Sequence, residues 1–272
     1  MNNKVIYTVL TGSYDELKQP RFIHPDFDYI CFTDVLNEEY NGVWKLKKIP
    51  NIIEDKARLS RYPKMRPDLL LPEYDYSLYI DGNICIQDID IYTRVLEAIE
   101  KKYIWAGVKH PLRDCIYDEG FEVLFARRYE TNLFRGLKQM RFLLNEKFPT
   151  HYGMYEANII FRAHQEPVIA KQGNLWWNML LAYSKRDQFA LSYTLWKFEI
   201  PFRFLLPTHL NSRNYFGVEY QNHNHFSSKF QKKINRIWYI RIYPKVNKML
   251  KKMYLLLIGY PSPLRCPQVM DT

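Results

Sequence analysis

Apolar and polar positions along this chain alternate between two periods. Lys4 to Leu10 and Tyr29 to Thr33 are short runs of β-branched and aromatic residues, and each ends in a polar turn, Thr11-Gly12-Ser13-Tyr14 in the first and Asp34 in the second. Trp44 to Ile49 alternates apolar with basic residues as a third strand would, and Ser77 to Ile80 is a fourth, followed by Asp81-Gly82-Asn83. Asp55 to Leu71 has a helical period, but Pro63 and Pro67 interrupt it, which predicts two short helices. Ile91 to Lys102 is an amphipathic helix that Asp90 can cap, and Tyr103 to Val108 is a fifth strand. Helical patterns resume over Glu119 to Lys147, and Ala157 to Arg162 is extended. Pro167 then opens a Trp-rich helix to Tyr183, and a last helix covers Asp187 to Phe198.

This alternation predicts an α/β fold of the Rossmann-like kind, a mostly parallel central sheet flanked by helices. Such sheets bind ligands beyond the carboxyl ends of their strands, so the polar residues after each strand are the site candidates. Charge changes the picture at one end only. The net charge is +10, yet ten Lys/Arg and no acid lie between Tyr220 and Met270, while the preceding 219 residues carry 29 basic and 28 acidic side chains. The expected organisation is a nearly neutral catalytic domain, residues 1–226, with a basic amphipathic helical tail, residues 227–272.

A cationic tail of this kind meets phosphates of lipid or of nucleic acid. From Ser227 to Ile258, nine Lys/Arg interleave with aliphatic residues and Trp238, a pattern that suits helices lying in the headgroup plane of an anionic membrane. It also suits a basic helix pair packed on the body, with Pro244 as its break. The longest uncharged stretch, Met253 to Leu264, falls well below the roughly 20 apolar residues a membrane span needs. The four cysteines, Cys31, Cys85, Cys115 and Cys266, form no C-x-x-C pair and imply neither a zinc site nor a disulfide framework. The short apolar run after the N-terminal Met-Asn-Asn-Lys reads as a first strand rather than a signal segment, so the expected address is the cytoplasm.

The chemistry centres on Asp81-Gly82-Asn83. A strand that ends in an acid-x-amide turn can present a carboxylate and a carbonyl oxygen to a divalent ion, which neutralises a diphosphate leaving group. An Asx-Gly turn between two strands fits the same residues. The literal acid-x-acid at Asp88-Ile89-Asp90 abuts a helix start and reads as capping. Arg58, Arg61 and Lys64 recur every three residues and could present one phosphate-holding face, or a solvated one. Tyr14 and Asp34 are placed to stack on and hydrogen-bond a base or ribose. Asp187, in a helical first turn, could accept the proton of an attacking hydroxyl or simply cap the helix. His110, Arg113, Glu119, Glu156 and Asn158 are further polar residues near strand ends or turns. His209, His223 and His225 fall in a loop-like segment, and one of them could complete a metal or diphosphate site.

With the segments YTVLTGSYDEL, YICFTD, YSLYIDGNICI, HPLRDCIYDEG, GMYEANIIFRAH and RDQ in this order, the chain resembles the TOD/MUCI-type glycosyltransferase-like family over residues 4 to 210. That family, formerly a domain of unknown function, is found in plant wall-polysaccharide proteins and in bacterial polysaccharide clusters. The resemblance implies a GT-A-like fold, a nucleoside-diphosphate sugar donor such as a UDP-sugar, a divalent cation (Mn²⁺ or Mg²⁺) and transfer to a glycan hydroxyl. It carries Asp81 and Asn83 to the metal and diphosphate turn and Arg186-Asp187-Gln188 to the acceptor side, with Asp187 as catalytic base. By their placement in the sequence, Tyr14, Asp34, Arg58 and Arg61 join the donor side, Glu156 and Asn158 the acceptor side, and His225 the metal. Asn83 stands where GT-A enzymes commonly have a second Asp, which weakens the expected hold on metal.

The function so implied is glycosyl transfer in capsule or O-antigen synthesis. It would work on a lipid-linked acceptor, peripherally on the inner face of the cell membrane. A nucleic-acid-binding protein using the basic tail is the alternative that charge alone allows, although the near-neutral body carries no nucleic-acid-binding motif and no nucleic acid is expected as partner. An inactive glycosyltransferase-like partner subunit is the alternative that Asn83 allows.

Overall fold

The computed structural model describes residues 2–12, 16–50, 52–126, 132–221 and 238–260. They form two compact units, Met1–Asp114 with Gly153–Phe226, and Cys115–Tyr152 with Ser227–Thr272. In chain order the first stretch gives β1 (Lys4–Leu10), β2 (Asp28–Thr33), β3 (Tyr40–Asn41), β4 (Trp44–Lys48), α1 (Lys56–Leu59), α2 (Tyr62–Met65), α3 (Pro67–Leu70), β5 (Tyr76–Ile80), β6 (Ile84–Ile86), α4 (Asp90–Glu100) and β7 (Trp105–Lys109). Next come α5 (Ile116–Phe121) and α6 (Leu133–Asn145), then β8 (Tyr155–Arg162), α7 (Pro167–Ala182), α8 (Gln188–Lys197), β9 (Val218–Tyr220) and α9 (Tyr243–Ile258).

The first unit is built on a seven-stranded sheet of order β3-β4-β2-β1-β5-β8-β7. β4, β2, β1 and β5 are parallel to one another, β8 runs against both β5 and β7, and β3 runs against β4. The mostly parallel α/β sheet read from the sequence is thus present, with reversed strands where periodicity gave no sign of direction. The carboxyl ends of β1, β2 and β5 share an edge with the beginning of β8, because Ile80 pairs with Ile159. On one face α4 lays Ile91, Tyr92, Val95 and Ala98 against Ile6, Leu78, Ala106 and Phe161. Apolar burial of this extent is the main stabilising term.

Three short helices, not two, occupy 56–70. The Asp55 carboxylate caps α1 by accepting the Arg58 amide at 3.1 Å. Pro63 and Pro67 each sit in a first turn, where a missing N–H costs nothing, and each restarts the helix. The N-cap of α4 is Ile89, not the expected Asp90, which lies inside the helix and pairs with Arg94 and Tyr215. Asp88 accepts the Asp90 amide at 3.0 Å, so the Asp-x-Asp belongs to the start of the helix.

All eight residues of β8 are buried, polar ones included. Arg162, 1% exposed, donates to the Lys64 carbonyl at 2.7 Å and to the Tyr7 hydroxyl. Burial pushes the Tyr7 phenol up to about 12, with the Arg162 charge pulling it partly back. A strand guanidinium therefore fixes the backbone of α2. The same helix is approached by α7 at Gly173, where an added Cβ would lie 2.3 Å from the Met65 carbonyl oxygen.

The second unit joins α5, a π-helical turn over Glu122–Ala126, α6, and a second such turn at Trp238–Ile242 that leads into α9. Tyr254 of α9 donates to the Tyr117 carbonyl at 2.9 Å and packs against the Phe121 and Phe125 rings, and Lys251 pairs with Asp118 at 3.1 Å. The units differ from the expected domains 1–226 and 227–272, since residues 115–152 group with the C-terminal segment, which is not a detached tail. Its helix supplies core to residues 115–152, and Pro244 opens α9 rather than breaking it. Among the described residues, no helix is long and apolar enough to cross a membrane.

Gly173→Ala should lower the urea midpoint by the equivalent of about 1–3 kcal/mol, since the methyl has only backbone to displace. An unchanged midpoint would show that α7 does not depend on that close approach.

Candidate functional site

Strand ends set the site. After β1, the Gly12 amide donates to the Asp34 carboxylate at 3.0 Å, so the loops following β1 and β2 meet. Gly12 has φ 72°, a conformation a side chain would resist. Lys56 lies 3.7 Å from the same carboxylate. After β5 the chain turns through Asp81, whose amide donates to the Asn158 carbonyl at 2.9 Å on the adjoining β8. Gly82 lets this turn pass Leu10, since an added Cβ would lie 2.5 Å from Leu10 Cδ2.

Lys64 joins these pieces. Its side chain is 4% exposed, and its ammonium pairs with Asp187 and stands 3.5 Å from Asp81 Oδ1. The Tyr79 ring is 5.0 Å away and the Trp176 ring 6.0 Å. The Tyr79 hydroxyl donates to Asp81 Oδ1 at 2.6 Å, so one carboxylate oxygen is held from two sides. Asp187 precedes α8 and caps it, accepting the Gln188 amide at 2.9 Å, and the Trp176 indole donates to its carbonyl at 2.8 Å. Burial pushes the Asp187 carboxyl up, but the charges of Lys64, Arg61 and Arg186 and the Lys64 hydrogen bond outweigh it and hold the group at about 2. The buried cation and its two acids form a charge-compensated unit.

The sequence-derived candidates divide into several groups. Asp34 and Asp81 follow strands at the carboxyl edge, and Lys64 brings Asp187, the cap of α8, to Asp81. Arg61 acts on Asp187 through its charge, while its guanidinium donates to Ser60 Oγ at 2.6 Å and to the Ala57 carbonyl at 3.2 Å. Arg58 faces elsewhere: it donates to the Leu180 and Tyr183 carbonyls at 3.1 and 3.2 Å, closing the C-terminal end of α7. The expected single basic face of Arg58, Arg61 and Lys64 is thus split, because the three fall on or between separate short helices.

Asn83 is 4% exposed and donates to the Gln221 carbonyl at 2.6 Å. Gln188 donates to the Tyr155 carbonyl at 2.9 Å, and Arg186 lies 3.3 Å from Gln188 Oε1. Glu156 and Asn158 hold a loop: Glu156 accepts the Ser212 amide at 3.0 Å and pairs with Arg213, and Asn158 donates to Ser212 Oγ at 2.8 Å. Their polar atoms therefore present Arg213, half-exposed and 4.5 Å over the Tyr220 ring. Burial, then the Arg113, Arg186 and Arg213 charges, lower His110 to about 4, so it is neutral at the same edge. Glu119 is buried in α5. Tyr14, His223 and His225 lie outside the described residues.

Sequence reading named Lys64 only as part of a basic face, and missed Tyr79 and Arg213. Nothing local marks Lys64, because its partners are 17 and 123 residues away. Three potential ligands of one metal, Cys115, Asp118 and His151, come together in the second unit. At the Asp81 turn the donors are oxygens: Asp81 itself and the buried Oδ1 atoms of Asn83 and Asn158, which have no hydrogen-bond partner among the described residues. Such a set suits a hard divalent cation.

A mostly parallel sheet with charged groups gathered where its strands end is the arrangement in which α/β proteins bind ligands, at the carboxyl edge. The model of the TOD1/MUCI70, glycosyltransferase-like domain matches residues 33–222, and the chain belongs to that family. No curated protein matches the sequence. Among solved structures, the chain is similar to the apo structure of WbbM, a bifunctional glycosyltransferase, at 13% identity and a TM-score of 0.45, over 86% of this chain and 44% of that one. It therefore spans less than half of the WbbM chain.

The Asp187–Lys64 pairing makes stability depend on pH. A carboxyl at about 2, against its ordinary 3.8, contributes stability above about pH 4 that is lost as pH falls toward 2. Asp187→Asn, which can still cap α8, should cost roughly 2 kcal/mol near neutral pH and almost nothing near pH 2. Urea midpoints across that range check this; a gap independent of pH would mean that the loss is not electrostatic.

Proposed function

We propose that the protein is a glycosyltransferase that moves a sugar from a nucleoside-diphosphate donor, a UDP-sugar in the first instance, to a hydroxyl of a glycan acceptor. The observation that carries this is the convergence of Asp81 and Asp187 on a buried Lys64 where β1, β2 and β5 end, in a member of a glycosyltransferase-like family. The family's bacterial polysaccharide members support a place in capsule or O-antigen synthesis, with a lipid-linked acceptor at the cytoplasmic membrane face.

The Gly12–Asp34 junction, with Tyr14, takes the base and ribose. Lys64 and Arg61 supply positive charge to the diphosphate. Without donor, the Lys64 ammonium is held by Asp187. A diphosphate that draws it away leaves a buried carboxylate, whose pKa burial then raises. Asp187 becomes a competent base at the moment the donor is in place. In the transfer, the acceptor oxygen bonds to the anomeric carbon and the bond from that carbon to the diphosphate oxygen breaks. The diphosphate leaves with the electron pair, and the hydroxyl proton passes to Asp187. Arg186 and Gln188, with Arg213 presented by Glu156 and Asn158, face the acceptor.

Mn²⁺ or Mg²⁺ would fit the oxygen donors Asp81, Asn83 and Asn158 and, when bound, would supply charge to neutralise the diphosphate. Lys64 shares that task, so the loss of turnover on chelation should be partial.

Nucleoside diphosphate release, measured across sugar donors with and without a lipid-linked acceptor, tests the reading. Asp81→Ala should lower turnover by about 10²–10³-fold with the fold intact. Asp187→Asn should lower kcat far more than donor affinity. Wild-type turnover in Asp81→Ala would remove that residue from the chemistry. Absence of release from the wild-type protein with every donor and acceptor would leave a glycosyltransferase-like partner subunit.

A further inference from the structure

α9 carries two apolar stripes. One is packed: Tyr254 and Ile258 are each 1% exposed. The other faces outward, with Met249 at 63%, Met253 at 41%, Leu256 at 79% and Leu257 at 49% exposed. These four recur at i, i+4, i+7 and i+8, the spacing of one helix face, and they lie on the side away from the packed pair. Tyr239, Ile240 and Ile242 extend the exposed apolar surface into the preceding turn. A surface helix that has already buried one stripe normally turns charge to water on the opposite side.

The lysines are not spread evenly round this helix. At about 100° per residue, Lys245, Lys248 and Lys252, all exposed, line one flank of the outward stripe. Lys251 falls on the far side and is engaged by Asp118. From Trp238 to Tyr260 there is no acid. Exposed aliphatic side chains bordered by cations, without a carboxylate among them, match the boundary between acyl chains and anionic headgroups.

We infer that the outward face of α9, Met249, Met253, Leu256 and Leu257 with Lys245, Lys248 and Lys252 beside them, is a docking surface for an anionic lipid bilayer. The helix docks as part of the folded second unit, lying along the surface. This deepens the membrane-face part of the proposed function and rests on that part, but not on the transfer chemistry. Charge complementarity selects the bilayer over a second copy of the chain, since two such faces would bring their lysines together.

The full chain should co-sediment with phosphatidylcholine vesicles containing about one-third phosphatidylserine, and weakly with phosphatidylcholine alone or at high salt. Met249→Ser with Leu256→Ser, and separately the charge reversal Lys245→Glu, Lys248→Glu, Lys252→Glu, should each weaken binding at least about tenfold. Both sets alter exposed side chains, so unfolding midpoints should hold, and if one set fails to fold the other still reads the surface. Undiminished vesicle binding by a folded variant overturns the proposal. So does a wild-type dimer in sedimentation analysis that the Ser variants abolish, which would assign the face to a second copy. Vesicle binding together with absent donor turnover would sink the transferase reading and leave this surface standing.

Discussion

An ammonium buried to 4% exposure must be compensated, and much of the first unit's arrangement serves that requirement at Lys64. Stripping such a group of its partners is strongly destabilising, because the remaining charge is stranded away from water. Asp81 comes from the end of a strand and Asp187 from the start of a helix, so the pairing ties both to α2. Arg162 holds the carbonyl of the same lysine from the sheet side, and Gly173 lets α7 come close enough to bring the Trp176 ring over it. Sheet, short helices and long helix are thereby indexed to a single nitrogen.

Under the proposed function, that indexing gives the site two states. With Lys64 held by its acids, Asp187 is a weak base. With Lys64 engaged by the donor, burial raises Asp187 against only the remaining Arg61 and Arg186 charges. The aromatic rings of Tyr79 and Trp176 tolerate the ammonium without competing for it as a carboxylate would. In the proposed reaction, activation of the base is a consequence of donor binding, and acceptor alone does not trigger it.

Much of the fold was legible in the sequence, because the strands of the parallel core are compact apolar or alternating runs and the long helices have clear starts at Pro167 and Asp187. The direction of β8 was not legible, since an extended segment carries no mark of its neighbours' polarity. Nor was the burial of Glu156, Asn158 and Arg162, which is set by Ser212, Arg213, Tyr7 and Lys64, all more than fifty residues away. Asp34, Asp81 and Asp187 could be found because each follows or precedes a recognisable element. Lys64 and Arg213 could not, because their roles exist only once distant segments meet. The C-terminal segment was read as an appendage from its charge, and charge is silent about Tyr254 and Ile258, the two side chains that make α9 part of a core.

The second unit is discontinuous in the chain, which bears on how the protein is made. Residues 115–152 leave the ribosome long before α9, which provides Tyr254 and Lys251 to them. At synthesis rates of about 5–20 residues per second, the earlier half waits several seconds with Tyr117, Phe121 and Phe125 uncovered. The first unit, whose last strand ends at Tyr220, can close during that interval. Closure of the second unit therefore waits for α9, and a chain that stops short of α9 would emerge with one unit complete and the other open to aggregation.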